Sequence, residues 1–386
     1  MLKISKYFKH NHLNRYNSNN TSNSDKPRIF LSGELDTRLL LAFGEHLFNS
    51  QTPSLFISRA KPAVVFGLNQ NPYLECNLKN IDHDQVDITR RSSGGGAVYV
   101  DNGTLMVGFY GRSDYTNFNQ NNVNEIILKS LNHFLKYPAE LVGKNDIKVP
   151  IENKYYKIAG QAYRYSQPYY LHHLSILVDT EMDKLTKYLL PNKLKMQSKA
   201  TTSTRSNVIN MVDISNSTTD REDMCFNLTM KLKDNFIDHY NLIDPYLAVI
   251  RDSDNDQYLK RFNNKCEITS HQLLEIQSIQ NSYDRLCSDE WVFGKTPDFT
   301  HMFETRRDWG TVRLELLVKN NTINNVTCYT DSIYTFIPAK LQEILNGKFY
   351  AKKVISYEFD NVCNDCDDHI KLILLDIKNM IINCMS

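Results

Sequence analysis

The sequence predicts an α+β protein with a smaller α+β domain at its C-terminal end. Short apolar runs of strand-forming residues are interspersed with helical periodicities, but they do not follow the regular strand–helix–strand order of a doubly wound sheet. The 386 residues exceed the usual size of a single domain. A polar, charged stretch at 252–264 is a plausible boundary between two domains.

The longer series of predicted elements precedes this stretch. Ser32 is a candidate cap for a helix over 34–48, in which apolar residues recur at every fourth position. Val123–Leu135 has helical spacing, and Thr219 with Glu222 has capping-box spacing before a further helix. The other elements are a helix over Leu185–Leu190 and the strands Ser54–Ser58, Ala63–Phe66, Val86–Thr89, Thr104–Tyr110, Tyr155–Arg164 and Tyr170–Val178.

A hairpin marks the C-terminal domain. Apolar residues alternate from Val312 to Val318, and a turn at Lys319–Thr322 leads into a second strand over Ile323–Tyr329. Helices are predicted at Leu273–Ile279, Ala339–Leu345 and Asp367–Ile382. The domain prediction is therefore a leader at 1–26, a main domain at 27–262, and a linker helix with an accessory domain at 263–386.

Composition excludes several classes of protein. A net charge of +1 provides no basic excess for nucleic-acid binding. No apolar run reaches the roughly 20 residues that span a bilayer. The eight cysteines are scattered, and Cys363-x-x-Cys366 has no second pair at metal-binding spacing. Unligated thiols in a reducing compartment are the favoured interpretation.

The first 24 residues contain no acidic residue, carry four Lys or Arg, and end in an Asn/Ser tract. That composition is typical of a mitochondrial transit peptide, and a disordered polar N-terminus is the alternative. The sequence therefore predicts a mitochondrial location, or otherwise a cytoplasmic one.

The most informative segment is Arg90–Tyr99, which contains three consecutive glycines after two arginines. Glycines let a backbone approach a ligand closely, and exposed N–H groups bind phosphate or carboxylate. Arginines beside them can neutralise the same anion. The segment lacks the Gly-Lys-[Ser/Thr] ending of a Walker A loop, so an anion-binding loop of another kind is predicted, with a flexible surface loop as the alternative.

Three further segments contain residues suited to catalysis or to ligand binding. Lys157 lies in an apolar strand beside small residues, where a dry lysine is a strong point charge for a carboxylate or an α-phosphate. Hydroxyls and cations at 198–206 suit a loop that closes over a nucleotide, and Asp146 is a candidate magnesium ligand. Each segment has an alternative interpretation when it is taken singly. Lys157 also fits a strand lysine that faces solvent, 198–206 a solvated linker, and Asp146 an ordinary turn.

Together these segments resemble the lipoate–protein ligase A family. The resemblance rests on Pro62–Pro72, Arg90–Tyr99, Asn145–Asp146, Lys157–Tyr163, His172–His173 and Lys199–Val208, with Phe293–Pro297, Trp309–Gly310 and Thr330–Ser332 similar to its accessory domain. It implies a biotin/lipoate ligase-like catalytic domain with mixed β-sheets flanked by helices. The Gly-Arg-Gly-Arg-x-Gly loop of biotin–protein ligases is absent.

The resemblance implies a two-step reaction with ATP, Mg²⁺ and the substrate lipoate. Lipoyl-adenylate forms first, and a lysine of an acceptor lipoyl domain then attacks the acyl carbon. Expected acceptors are the lipoyl domains of 2-oxoacid dehydrogenase complexes and the glycine cleavage H-protein, and the enzyme is expected to be a monomer. No general base for the acceptor lysine emerges from the sequence.

The resemblance also assigns roles to residues, with Lys157 as the catalytic lysine. ATP or lipoyl-adenylate contacts fall on Arg91, Gly95, Gly96, Ala97, Val98, Tyr99, Lys157, Lys199, Thr202 and Arg205; lipoate contacts fall on Tyr73, Ser93, Ala162, His173 and Lys157; and a magnesium contact falls on Asp146.

The chain departs from the family pattern at three positions. Val100 stands where a histidine is usual, Tyr73 where bacterial members often have Trp, and Ala200 where Gly is usual. Val100 and the basic leader favour an alternative, a lipoyl- or octanoyltransferase that uses an activated or protein-bound donor. A non-catalytic module that binds lipoyl domains is a third interpretation, which the retained Lys157 disfavours.

Overall fold

The computed structural model describes residues 27–50, 52–112, 119–189, 196–204, 206–243, 245–252, 257–262, 266–364 and 366–385. The predicted leader 1–26 lies outside these ranges, so the transit peptide stays a prediction. The chain forms two compact units, each discontinuous in sequence. The first unit is Met1–Lys61, Val100–Glu181 and Ser206–Tyr283, and the second unit is Pro62–Tyr99, Met182–Arg205 and Asp284–Ser386. The continuous domains 27–262 and 263–386 stay a prediction.

The strands are short to medium in length. In chain order they are β1 (Arg28–Leu35), β2 (Ser54–Ala60), β3 (Ala63–Phe66), β4 (Asp87–Arg90), β5 (Val98–Val100), β6 (Thr104–Arg112), β7 (Glu140–Val142), β8 (Asp146–Ile151), β9 (Lys154–Ser166), β10 (Tyr169–Leu177), β11 (Met196–Ser198), β12 (Tyr246–Arg251), β13 (Glu267–Thr269), β14 (Phe299–Arg307), β15 (Gly310–Lys319) and β16 (Thr322–Thr330).

The helices are interspersed among these strands. They are α1 (Thr37–Asn49), α2 (Pro72–Glu75), α3 (Leu78–His83), α4 (Gln120–Asn132), α5 (Met182–Leu189), α6 (Arg221–His239), α7 (Gln257–Lys260), α8 (Ser270–Leu274), α9 (Gln277–Cys287), α10 (Asp289–Val292), α11 (Ile337–Leu345), α12 (Lys352–Asn364) and α13 (Asp368–Cys384), with a 3₁₀ turn at Val212–Ile214.

A mixed sheet of nine strands forms the framework of the first unit, in the order β13-β12-β1-β2-β6-β10-β9-β8-β7. The strands from β13 to β2 are parallel to their neighbours, and those from β2 to β7 are antiparallel. One face of the sheet buries its aliphatic side chains against α4 and α6. On the other face Phe43 of α1 packs edge-on against Phe30 and Phe56, with ring centroids 5.1 Å apart in both pairs. The α+β prediction with mixed sheets flanked by helices is confirmed.

The second unit contains an antiparallel sheet, β11-β14-β15-β16, and a small sheet, β4-β3-β5. The predicted hairpin is β15–β16, and its alternating residues from Val312 to Val318 are all fully buried. They pack with residues of α11, α12 and α13 in one core. The prediction of two closing helices is incomplete, because α12 lies between them.

Two predicted helix starts were wrong. Ser32 lies in the buried strand β1, and α1 is capped by Asp36, whose carboxylate accepts the N–H groups of Arg38 and Leu39. Likewise, α6 is capped by Asp220 and not by Thr219. In both cases an aspartate further along the chain, four residues after Ser32 and one residue after Thr219, satisfies orphan N–H groups of the first turn.

The described part of the chain contains no helix that is long and apolar enough to cross a membrane. No disulfide joins the cysteines of this part of the chain, and no group of three or more His, Cys, Asp or Glu side chains within the described ranges could hold a metal ion.

Candidate functional site

Lys157 lies on β9, next to the strand β8 that begins with the motif residue Asp146. The register of this antiparallel pair shifts between Ile147 and Lys148, so that Lys148 stands directly across from Lys157. An extra residue in β9, Ile158, accommodates the shift, as in a β-bulge. Without it Lys157 would face the hydrophobic core. The bulge therefore brings Asp146, Lys148 and Lys157, hereafter the lysine cluster, onto one face of the sheet.

A single carboxylate holds both ammonium groups of this cluster. Lys157 Nζ lies 2.7 Å from Asp146 Oδ1, and Lys148 Nζ lies 3.1 Å from Oδ2. Ser206 Oγ is 3.4 Å from Oδ2. Burial by itself raises the pKa of the Asp146 carboxyl, but the two lysines outweigh this effect and lower that pKa below the usual value for aspartate. Asp146 is therefore ionised at neutral pH.

Gly160 gives Lys157 the space it occupies. A Cβ atom at position 160 would lie 2.9 Å from Lys157 Nζ and 3.0 Å from Cε, so the lysine stem runs over this glycine towards Asp146. Gly160 pairs with Asp146 on one side and with Ser175 on the other. The absent side chain thus permits the ion pair between Lys157 and Asp146.

The same face continues through small and polar residues. Ala162 stands directly opposite His173 across β9 and β10, so two of the predicted lipoate contacts are neighbours on the face that carries Lys157. His172 alternates to the other face of the sheet, where it is fully buried. Its Nε2 lies 3.1 Å from Gln161 Oε1, and Tyr163 also donates its hydroxyl to that oxygen. Of the two adjacent histidines, His173 therefore lies with the lysine cluster.

In the second unit, Arg91 supports the glycine loop, Gly94–Gly96. Its Nε and Nη2 donate to the carbonyl of Gly94, Nη2 also donates to Gly96, and Nη1 donates to Val65, at 2.6–3.2 Å. Burial lowers the pKa of this guanidinium to about 10, so it stays charged at neutral pH. These hydrogen bonds to backbone carbonyls give Arg91 a role in positioning the loop, and its predicted contact with a nucleotide stays a prediction.

Arg90 is fully buried and links four chain segments of the second unit. Its guanidinium donates to the carbonyls of Leu68, Gln70 and Val292 and to Thr296 Oγ1, at 2.7–3.0 Å. The guanidinium also lies 4.6 Å from the centre of the Phe66 ring. The idea that both arginines neutralise a bound anion is therefore wrong for Arg90, which is a structural cross-link.

The glycine loop approaches neighbouring backbone closely. Gly95 has φ of +90°, and a Cβ atom at Gly67 would lie 2.2 Å from the Gly95 carbonyl oxygen. Side chains at either position would open this contact. The close neighbour of the loop in this structure is protein backbone, and the predicted approach to a ligand stays a prediction.

Ser203 connects the predicted nucleotide segment to the glycine loop, a role that sequence reasoning missed. Its Oγ accepts from Ala97 N at 3.0 Å and from Gln70 Nε2 at 2.9 Å. The Ser203 N–H donates to Glu75. A serine among several hydroxyl residues offers no signal that distinguishes it, so only the fold could identify this anchor.

The remaining predicted residues of the second unit differ in their surroundings. Lys199 and Thr202 are exposed, whereas Arg205 lies outside the described residues. The Tyr99 ring is buried against Tyr188, with centroids 5.4 Å apart. Ser93 is buried, and Gly96, Ala97 and Val98 are partly exposed.

Tyr73 is buried in the second unit, and its predicted contact with lipoate stays a prediction. Its hydroxyl donates to Asn321 Oδ1 at 3.0 Å and lies 3.1 Å from the carbonyl oxygen of Tyr350. Its ring packs among Phe299, Phe293 and Tyr350 in the core of the second unit. This packing accounts for Tyr73 without a ligand.

The lysine cluster suits a magnesium ion that is held partly by the phosphates of a substrate. Asp146 supplies a single carboxylate, and Mg²⁺ is commonly held by one or two carboxylates together with substrate phosphates. A cage built from protein side chains alone is excluded within the described ranges. Asp146 would therefore hold a magnesium ion that arrives with a nucleotide, where the ion would neutralise phosphate charge.

Comparison with protein families matches two parts of the chain. Residues 34–233 match the lipoyl protein ligase A/B catalytic domain, and residues 296–381 match the bacterial lipoate protein ligase C-terminus. The lipoate-protein ligase A of Psychrobacter cryohalolentis is 32% identical over 87% of this chain and 93% of the relative. That of Bdellovibrio bacteriovorus is 30% identical over 84% and 89%.

A solved structure gives a similar result. The crystal structure of P. falciparum LipL1 in complex with lipoate matches with a TM-score of 0.54 and 26% identity. The match covers 92% of this chain and 99% of that one.

Proposed function

The chain belongs to the lipoyl protein ligase A/B family, and we propose that it is an ATP-dependent lipoate–protein ligase. It joins lipoate to AMP with release of pyrophosphate, and then transfers the lipoyl group to a lysine of an acceptor domain.

The observation that carries this proposal is the position of Lys157. Its ammonium group is held by Asp146 over Gly160, on a sheet face that continues through Ala162 and His173. A fixed cation stabilises negative charge that develops on a carboxylate or an α-phosphate during adenylation. The small residues beside it leave room for an acyl chain.

ATP is the proposed energy source. The glycine loop is held in one conformation by Arg91, and Ser203 attaches the segment that carries the exposed Lys199 and Thr202. A pre-formed loop binds phosphate without a further loss of backbone entropy. Mg²⁺ accompanies the phosphates, with Asp146 as its protein ligand.

The proposed acceptors are lipoyl domains of 2-oxoacid dehydrogenase complexes and the glycine cleavage H-protein. A structural analysis of an archaeal lipoylation system concerns a bipartite lipoate protein ligase and its E2 lipoyl domain from Thermoplasma acidophilum. A chain from that work matches this one at 24% identity with a TM-score of 0.52, which supports the common fold. We propose that the enzyme acts on these acceptors as a monomer.

The decisive experiment combines purified protein, ATP, lipoate and an apo lipoyl domain, and follows the acceptor by intact mass spectrometry. The ligase predicts that the acceptor gains one lipoyl group when both ATP and lipoate are present. Acceptor modification that needs preformed lipoyl-adenylate or an acylated donor protein would replace the ligase by a transferase. No modification with any donor would refute both activities.

The transferase is a second candidate because of Val100. This residue is fully buried in the position where the family pattern has a histidine, and its side chain supplies no hydrogen bond. A weak adenylation step with an intact acyl transfer is the expected signature of this alternative.

A mitochondrial location is proposed from the basic, acid-free composition of residues 1–24. Fusion of residues 1–26 to a fluorescent protein tests it. Import into mitochondria with cleavage of the leader is expected, and diffuse cytoplasmic fluorescence would contradict it.

A further inference from the structure

Lys148 occupies the lysine cluster without a role in the reaction described so far. It lies two residues after Asp146 on β8, so both side chains project from the same face of the sheet. It also stands directly opposite Lys157. Lys148 is 19% exposed and Lys157 is 24% exposed, so both ammonium groups are largely shielded from water.

The charges in this cluster do not balance. Two lysines and one aspartate leave one positive charge, and like charges directly opposite each other on neighbouring strands are destabilising. Lys157 alone would neutralise Asp146. Packing does not explain Lys148 either, because the adjacent core positions on β8 are filled by Ile147 and Val149 on the other face. The second lysine therefore leaves the site with an excess of positive charge that an anionic ligand would offset.

We propose that Lys148 is a second phosphate-binding cation of this site, which holds the polyphosphate of the nucleotide and the pyrophosphate product while Lys157 acts at the reacting carboxylate. The inference rests on the proposed function. Asp146 orients both ammonium groups before a ligand binds, since each of its oxygens holds one of them. When polyphosphate binds, its oxygens replace Asp146 Oδ2 as the partner of Lys148.

This arrangement predicts how a divalent cation contributes. Phosphate charge that Lys148 neutralises does not have to be neutralised by a metal ion. Removal of Lys148 should therefore weaken polyphosphate binding most strongly when no divalent cation is present. Lipoate has one carboxylate and no phosphate, so its binding should be unaffected.

The test measures binding of inorganic tripolyphosphate to the full chain by isothermal titration calorimetry in EDTA. Lys148→Met should weaken binding about 10-fold, whereas Lys148→Arg should retain most of the affinity because it keeps the charge. Lys154→Met is the matched control, since it removes an exposed lysine from the same hairpin. If Lys148→Met fails to fold by circular dichroism, Lys148→Gln is measured in its place.

Steady-state kinetics supply the second measurement. Lys148→Met should raise the KM for ATP about 10-fold and change kcat less than about 3-fold, with the KM for lipoate unchanged. The inference would be overturned if Lys148→Met bound tripolyphosphate as tightly as Lys154→Met does, or if the wild-type chain did not bind tripolyphosphate. Those results, with normal lipoylation by the wild type, would leave the proposed function intact, whereas absence of lipoylation with any donor would refute the function itself.

Discussion

Each unit of the molecule contains a pair of basic residues in its chemical motif, and the two pairs are used in opposite ways. Lys148 and Lys157 share one carboxylate and keep part of their surface in water. Arg90 and Arg91 are buried, and their recorded hydrogen bonds go to backbone carbonyls and to one hydroxyl. The lysines retain charge that a ligand can meet, whereas the guanidinium groups are occupied by the protein itself.

This difference follows from the chemistry of the side chains. A guanidinium has five donors in a rigid plane and can satisfy several carbonyls at once, so it suits a fixed loop. An ammonium group is a compact charge on a flexible stem, so it can exchange one anionic partner for another. Basic residues near a glycine motif are therefore not evidence of anion binding until their hydrogen-bond partners are known.

The largest effect is expected for Arg90→Met, because it leaves several buried carbonyls without donors. The free energy of unfolding should fall by about 4 kcal/mol. Chemical denaturation measures this loss, and Arg313→Met, which removes a half-exposed arginine from β15, is the control that should change stability by less than about 0.5 kcal/mol. If the two variants were equally stable, Arg90 would not be a structural cross-link, and the contrast between the arginine pair and the lysine pair would be lost.

Lys157→Met should affect catalysis strongly and folding stability little, which is the opposite of Arg90→Met. We expect kcat/KM for lipoylation to fall by at least about 150-fold, which corresponds to about 3 kcal/mol of transition-state stabilisation, with little loss of folding stability. Acceptor mass and denaturation curves are measured on the same preparation, with Lys154→Met as control. Near-normal turnover would show that the catalytic centre lies elsewhere.

Gly160→Ala tests whether the position of Lys157 matters as well as its charge. The new Cβ atom would meet the lysine 2.9 Å from Nζ, and the flexible side chain must move aside. We expect kcat/KM to fall about 30-fold, or about 2 kcal/mol, while the fold is retained. In the Lys157→Met background the alanine should have no further effect on kcat/KM; an additive loss would mean that it acts independently of Lys157.

Buried histidines make the folding equilibrium depend on pH. Burial lowers the pKa of His172 to about 3, and its Nδ1 has no hydrogen-bond partner within the described ranges. The unfolded chain binds the proton more readily, so stability is present above pH 6.5 and is lost as the pH falls towards 3. From pH 7 to pH 5 the loss should be about 2 kcal/mol for this residue.

Denaturation at several pH values checks this expectation. His172→Phe should show a smaller pH dependence, while His301 in the second unit, whose pKa burial lowers to about 4, continues to contribute. An unchanged slope in the variant would mean that His172 accepts a proton in the folded state as easily as in the unfolded state.

Local pattern was sufficient for much of the fold. The alternation from Val312 to Val318 predicted a strand that is fully buried at its four apolar positions, and the predicted strands Tyr155–Arg164 and Tyr170–Val178 correspond to β9 and β10. Helix starts were less reliable, since Ser32 and Asp36 are both good capping residues and only the extent of β1 decides between them. Helix α12 was missed although its buried residues Ile355, Phe359 and Cys363 recur at every fourth position.

The sequence by itself determined the family and the mixed α+β class, and it singled out Lys157 and Asp146 as candidate site residues, because these inferences depend on residue types at fixed spacing. The tertiary structure decided which charges are available. A one-residue bulge turns Lys157 towards Asp146 and Lys148, while burial directs Arg90 and Arg91 to backbone carbonyls. Register and burial are set by contacts between residues distant in the chain, so no local spacing reveals them.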